Sequence, residues 1–246
     1  NGGLSSGVVV DGNATLIQAV GGHVSGPVEI GGNLNTLAVH DGSLQGPVTT
    51  GMKTGSGDLK SLKVVNGDVR GSVQVSGRFG SLMAVGQSSG GNIQANVEAG
   101  NGLGILYATA DLTGDVNVTG DLARMTVRGD IVDSSVEVNA GSLTSLWVGG
   151  KADRAVFRAD DTLQSVFVQG DLTNTTVGAG KLGRLRVRGR ISEDASDGDK
   201  DEIWAHAGLF SGRFLAADET WAGWVDQENS HRFNPGGPGS VLASVK

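Results

Sequence analysis

Aromatic and arginine side chains recur at related positions in the second half of the chain, and together they could bind a sugar polymer. Tyr107, Trp147 and Phe167 are unusual in a chain with only 4% aromatic residues. Flat rings stack on sugars, and guanidinium groups hold carboxylates or sulfates through paired N–H donors. The nearby arginines are Arg124, Arg128, Arg184, Arg186 and Arg188. These residues predict a carbohydrate-binding surface, and the alternative is that the C-terminal tail folds back and covers it.

A second group of residues could bind a hard cation. Asp197, Asp199 and Asp201 have the alternate spacing that opens a calcium-binding loop. The sixth position of this loop is Glu202 where glycine is usual, and the twelfth is Gly208 where a bidentate glutamate is usual. The two interpretations are a calcium site at the three aspartates and a plain charged surface loop. No other cofactor is predicted.

Signals for catalysis are few. Glu98 and Glu137 are expected on one outward column of side chains, about 10 Å apart because one coil separates them. That distance is near the upper limit for the two carboxylates of an inverting glycosidase. The alternative is a solvated acidic face. The chain has no cysteine, its four histidines show no metal-ligand spacing, and it has no nucleophile-elbow or phosphate-loop motif.

The side chains above must be positioned by a repeat that dominates the sequence. Its first half reads Leu-x-x-Leu-x-Val at 59–64, 143–148 and 182–187, and 122–127 and 163–168 have Met125 and Val166 in place of the second leucine. Successive copies of the third apolar position are 19 to 25 residues apart. This column contains Ala19, Val39, Val64, Ala84, Ala108, Val127, Val148, Val168 and Val187.

The second half of each repeat has apolar residues in strand-like alternation between glycine turns, as in Val69, Val73 and Val75. A unit of about 20 residues buries its apolar face only by stacking on its neighbours. We therefore predict an all-β fold, a right-handed parallel β-helix (β-solenoid) of about ten coils. A leucine-rich repeat has a similar period, but neither its polar Asn or Cys ladder nor its helix is seen in the sequence.

The repeat sets the expected domain organisation. Residues 1–217 are predicted to form the solenoid, because Phe210, Phe214 and Ala216 match Val69, Val73 and Val75 in spacing. From residue 218 the pattern stops and aromatic residues accumulate. Residues 218–246 are therefore predicted to be an aromatic-rich C-terminal cap and tail that pack on the solenoid and cover its core end.

Composition limits the partners of the chain. A net charge of −7 argues against nucleic acid as a partner. No apolar run reaches the 18 or so residues of a membrane span, so none is expected. The remaining partners are the chain itself, another surface protein, or a polysaccharide.

The repeat resembles the β-helical repeat regions of large secreted bacterial surface proteins and adhesins, over residues 4–217. This resemblance implies an extracellular or cell-surface rod that presents a binding surface or builds an assembly. In architecture alone, the chain is also similar to β-helix enzymes that act on polysaccharides.

Two functions follow as hypotheses. The first is a non-enzymatic structural or adhesive module, because the coils are regular and no convergent polar site is visible. The second is a polysaccharide lyase or glycoside hydrolase, with Arg124, Arg128, Arg184 and Arg186 neutralising substrate carboxylates. In that case a turn aspartate such as Asp130 would supply the acid or base.

Overall fold

The computed structural model shows a parallel β-solenoid and describes residues 2–86, 90–192, 202–205 and 231–233. The described residues contain no helix, and therefore no helix long and apolar enough to cross a membrane. The strands are β1 (Val8–Val10), β2 (Ala14–Val20), β3 (Val28–Ile30), β4 (Leu34–His40), β5 (Val48–Thr50), β6 (Leu59–Val65), β7 (Val73–Val75), β8 (Phe79–Val85), β9 (Val97–Ala99), β10 (Leu103–Ala108), β11 (Val116–Thr119), β12 (Leu122–Val127), β13 (Ile131–Val132), β14 (Ser135–Asn139), β15 (Leu143–Val148), β16 (Ala152–Asp153), β17 (Val156–Val168), β18 (Leu172–Thr173), β19 (Thr176–Val187), β20 (Ile191–Ser192), β21 (Glu202–Ala205) and β22 (His231–Phe233).

One face of the solenoid is built from the Leu-x-x-Leu-x-Val segments. Nine of these strands stack in parallel within the described residues: β2, β4, β6, β8, β10, β12, β15 and the second halves of β17 and β19. Like positions are paired, as in Leu59 with Phe79 and Val64 with Ala84. The predicted parallel β-solenoid is therefore confirmed, with about nine turns.

Two further faces complete the cross-section. The short strands, from β1 and β3 through β14 to the first halves of β17 and β19, pair in parallel to form the second face. The third face begins as single bridges from Leu4 to Ile131 and continues as the ladder β13, β16, β18 and β20. Each coil thus bends three times around one core.

The core is the stack of inward apolar side chains predicted from the repeat. All nine members of the column from Ala19 to Val187 are buried. In the irregular coil at 151–161, the sequence left open whether Val156 or Phe157 faces inward. Phe157 is fully buried and Val156 only partly, so Phe157 fills the core.

The variable period comes from the corners between faces. The coil of β11 has three residues between Leu112 and Val116, whereas the next coil has four between Ile131 and Val136, with Asp133 at φ 50°. The extra corner residue takes the left-handed conformation, which turns the chain without displacing the strands. The non-glycine residues with positive φ are Asp41, Asn66, Asp133, Ala140, Arg154 and Asn174.

A polar ladder runs along one corner of the solenoid, and it is built from mixed residue types, not from the repeated asparagine or cysteine of a leucine-rich repeat. In each link, a side-chain acceptor of one coil receives the backbone N–H of the equivalent residue in the next coil, at 2.8–3.1 Å. The acceptors are His23, Ser43, Asp68, Asn92, Asp111 and Asp130.

The ladder ends at Lys151, whose side chain has no acceptor, and Asp171 begins a new link to Arg190. Asp68, Asp130 and Asp171 each follow a glycine in the sequence, which is typical of a turn. The structure shows that they also join one coil to the next.

The predicted last coil, which contains 210–216 and ends at about 217, and the predicted cap at 218–246 lie mostly outside the described residues. Only His231–Phe233 is described there, as β22, which pairs antiparallel with β21. The domain boundary at 217 therefore stays a prediction.

Close approach of successive coils requires glycine at some corners. A Cβ added at Gly71 would lie 2.0 Å from the backbone oxygen of Gly46, whereas one at Gly12 would have no atom within 4 Å. We expect Gly71→Ala to lower the free energy of unfolding by about 2 kcal/mol or more. Gly12→Ala, the matched control, should leave it unchanged or raise it by up to about 1 kcal/mol. Chemical denaturation measures both, and equal stability of the two variants would contradict the close packing.

Asp68 is the most enclosed carboxylate of the ladder. Its Oδ1 accepts hydrogen bonds from the backbone and side chain of Asn92, at 3.1 and 2.9 Å, and its Oδ2 accepts one from Arg70 at 2.9 Å. Burial acts to raise the pKa of Asp68, but the bonds from Asn92 and Arg70 outweigh it and hold the pKa below its ordinary value.

A lowered pKa in the folded state means that the ionised Asp68 stabilises the fold. We expect Asp68→Ala to lower the free energy of unfolding at pH 7 by about 2 kcal/mol, because the bonded N–H groups lose a charged acceptor. This difference from the native chain should shrink as the pH falls below about 3.9, the pKa of an unfolded aspartate, and through the lower folded value. Denaturation at several pH values tests this, with Asp161→Ala as the control, and a difference that does not change with pH would contradict it.

Candidate functional site

The aromatic and arginine residues singled out in the sequence lie on one face of the solenoid. We call this surface the aromatic–arginine stripe; it comprises Tyr107, Trp147, Phe167, Arg124, Arg128, Arg184, Arg186 and Arg188. It extends over the five coils of β10, β12, β15, β17 and β19. Four inter-coil steps of about 4.8 Å give it a length of about 19 Å.

Alternation in the long strands places these side chains outside. Leu106 and Ala108 are buried, so Tyr107 between them points outward. The same position in the following coils holds Thr126, Trp147, Phe167 and Arg186 in direct register. Arg124 and Arg184 lie two residues before this position on their strands, and both are exposed. In the strand register, Arg124 is opposite Ser145 and Arg184 is opposite Ser165. Arg128 and Arg188 follow their strands and are also exposed.

Two rings of the stripe, those of Trp147 and Phe167, stack along the solenoid axis. The ring centroids of Trp147 and Phe167 are 6.5 Å apart, and the ring planes are inclined by only 18°. Trp147 also lies against Gly149, where an added Cβ would come within 2.6 Å of the indole. The absent side chain at Gly149 therefore leaves room for the indole.

Arginines lie over the rings at both ends of the stripe. The guanidinium carbon of Arg128 is 5.7 Å from the centroid of Tyr107, and those of Arg186 and Arg188 are each 5.5 Å from the centroid of Phe167. These distances are within the range of cation–π attraction. Phe167 thus has Trp147 in the preceding coil and arginines in the following one.

This arrangement changes what the stripe offers to a ligand. The sequence hypothesis placed sugars on flat ring faces, but the faces of Phe167 contact other side chains of the stripe. The arginine N–H groups are held in place by the rings and keep donors for carboxylates or sulfates. The geometry therefore favours anion recognition by arginines over sugar stacking on Phe167.

Positive charge is concentrated at the C-terminal end of the stripe. Residues 181–190 contain five cationic side chains and no acidic one, in a chain of net charge −7. Among the residues that the structure describes, no ion pair involves Arg184, Arg186 or Arg188. The C-terminal end of the stripe is thus a positive patch on an acidic protein.

A second charged cluster, on the third face, is paired internally. Arg154 donates two hydrogen bonds to the carboxylate of Asp133, and Lys151 donates one to Asp153 at 3.0 Å. The bonds from Arg154 lower the pKa of Asp133, and the bond to Asp153 raises the pKa of Lys151. The charged groups of this cluster are therefore occupied by one another, and the bonds between Arg154 and Asp133 join two successive coils.

The candidate catalytic carboxylates lie on other parts of the solenoid surface. Glu98 and Glu137 share one outward column and are separated by the coil of Asn117, as predicted. Asp130, the candidate acid or base of a lyase, accepts the N–H of Lys151 through Oδ1 in the corner ladder.

The predicted calcium ligands Asp197, Asp199 and Asp201 lie outside the described residues, so that site stays a prediction. Within the described part of the chain, no three His, Asp or Glu side chains are grouped to hold a metal ion.

The sequence did not reveal a groove on the second face, next to the 51–57 loop. Its lining includes Thr49, Met52, Gln74, Glu98 and Asn117. The outward column was recognised in the sequence, but its concave shape depends on how the loop packs.

None of the protein-family models, curated proteins or solved structures compared with the chain matches it.

A double-mutant cycle tests the contact between Arg188 and Phe167. We expect Arg188→Gln and Phe167→Leu to show a coupling free energy of about 0.5 to 1 kcal/mol in denaturation experiments, since each variant alone removes the cation–π contact. Arg78→Gln, an exposed arginine in a distant coil, should combine with Phe167→Leu additively. Additive behaviour of the Arg188 pair would contradict the contact.

Proposed function

We propose that this chain is a non-enzymatic adhesive module that binds an anionic polysaccharide through the arginines of the aromatic–arginine stripe. One observation supports this above others: Arg184, Arg186 and Arg188 are exposed side by side, without an ion pair to any described residue. Exposed arginines without an ion pair to a described residue are suited to a ligand that brings carboxylates or sulfates.

The solenoid adds regular spacing to this surface. Arg128 and Arg188 occupy equivalent positions three coils apart, which is about 14 Å. Arg124 and Arg184 are related by the same three coils. A polymer lying along the axis would therefore meet arginines at two separated points, and binding at the first raises the effective concentration for the second.

The proposal includes a location outside the cell, as a surface rod. The regular coils and the resemblance of the repeat to secreted surface proteins support it. A second copy of the chain or another surface protein is the alternative partner. In that case the aromatic C-terminal segment would form the assembly contact.

The proposal predicts charge-dependent binding to a sulfated polymer. The full chain should bind dextran sulfate and leave uncharged dextran unbound, with affinity that falls as salt is added. Arg186→Gln with Arg188→Gln should weaken binding to dextran sulfate by about tenfold or more, because two charged donors are lost. Isothermal titration calorimetry measures the affinities.

The control variant removes two positive charges, as the Arg186→Gln and Arg188→Gln variant does. Lys60→Gln with Arg78→Gln removes two exposed cations in coils distant from the arginine-rich end of the stripe, and it should keep the affinity of the native chain within about twofold. Equal losses in both variants would point to a general charge effect and would reject the stripe as the site.

A further inference from the structure

A groove on the second face lies away from the aromatic–arginine stripe and differs from it in chemistry. It has a volume of about 560 Å³ and lies over β5, β7, β9 and β11 and the turns that follow them. Three inter-coil steps of about 4.8 Å make it about 14 Å long, parallel to the axis. This length accommodates a short segment of an extended chain molecule.

Gly51 and Met52, at the start of the 51–57 loop, line one wall of the groove, and the loop is bonded to the solenoid. The hydroxyl of Thr50 donates to Gly57 O at 2.7 Å, and the backbone N–H of Gly51 donates to Ile30 O at 2.9 Å. Lys53 forms an ion pair with Asp11 at 2.6 Å. These contacts hold Met52 at the rim, where it is 58% exposed. The wall is therefore formed before any ligand arrives.

The floor is a column of polar side chains, one in each coil. Thr49, Gln74, Glu98 and Asn117 are direct register neighbours. Gln74 donates to Glu98 at 2.9 Å, and Asn139 donates to Asn117 at 2.8 Å. These bonds orient the side chains, and each amide or carboxylate retains further donor or acceptor capacity.

The residue types identify the ligand class. Amides, a hydroxyl and one carboxylate can exchange hydrogen bonds with sugar hydroxyls, and Met52 can contact the apolar face of a sugar ring. None of the described residues that line the groove is cationic, which disfavours a polyanion. Its strands are paired on both sides, so they offer no free edge for a peptide strand.

We propose that this groove binds a neutral, unbranched oligosaccharide along the solenoid axis. The inference goes beyond the proposed function, because it rests on other residues, another face and another class of ligand. The two sites can therefore fail or succeed separately.

The test uses the full chain with cellohexaose, xylohexaose and mannohexaose as probes, one at a time, in isothermal titration calorimetry up to millimolar concentration. We expect at least one probe to bind. Gln74→Leu with Asn117→Leu should weaken that binding by about tenfold or more, because the hydrogen bonds to sugar hydroxyls are lost.

Gln164→Leu with Gln169→Leu is the matched control, since it replaces two exposed amides in a distant coil by the same residue. This control should bind as the native chain does, and circular dichroism confirms that both variants are folded. Failure of all three probes to bind would overturn the proposal. Equal affinity of the groove variant and the native chain would overturn it as well, whatever the result with dextran sulfate.

Discussion

The parallel hydrogen bonds from each coil to the next are the interaction on which the rest of this structure depends. On the second face, for example, Val28 N donates to Pro47 O, Val48 N to Ser72 O and Val73 N to Asn96 O, at 2.8–2.9 Å. Because this register is kept, a side chain in one coil lies directly above its equivalent in the preceding coil. Core, corner and surface are therefore columns of equivalent residues.

Columns of this kind explain how a fold without a conventional cleft can present two different surfaces. On the long strands, the outward column holds Trp147 and Phe167, and their stacking supports exposed arginines. On the short strands, the outward column holds Gln74, Glu98 and Asn117, which form a polar floor. The backbone is alike on both faces, so the side chains alone decide which ligand each face can accept.

The sequence predicted the fold well because burial imposes a strict pattern on the inward positions. The Leu-x-x-Leu-x-Val segments identify the core column, and the structure buries all its members. The three-faced cross-section was not predictable, since the third face contributes one or two paired residues per coil. Left-handed residues such as Asp133 and Asn174 accommodate an extra residue at the corner between the third and second faces.

The corner ladder and the groove could not be predicted from the sequence, because neither one depends on a repeated pattern of apolar residues. The ladder accepts any side chain with a hydrogen-bond acceptor, so His23, Ser43 and Asp68 share a role without sharing a residue type. The groove depends on hydrogen bonds of Thr50 and Gly51 that hold the 51–57 loop beside the polar column. The residues of the stripe were recognisable from their types and spacing, but the direction of ring stacking was not. That stacking points to the arginines as the binding groups.

A structure of the full chain crystallised with a sulfated oligosaccharide tests the central claim most directly. Our account predicts sulfate groups within hydrogen-bond distance of the guanidinium groups of Arg184, Arg186 or Arg188, with the sugar chain lying along the axis. C-terminal residues of the same chain packed over these arginines, with no sugar bound there, would contradict it.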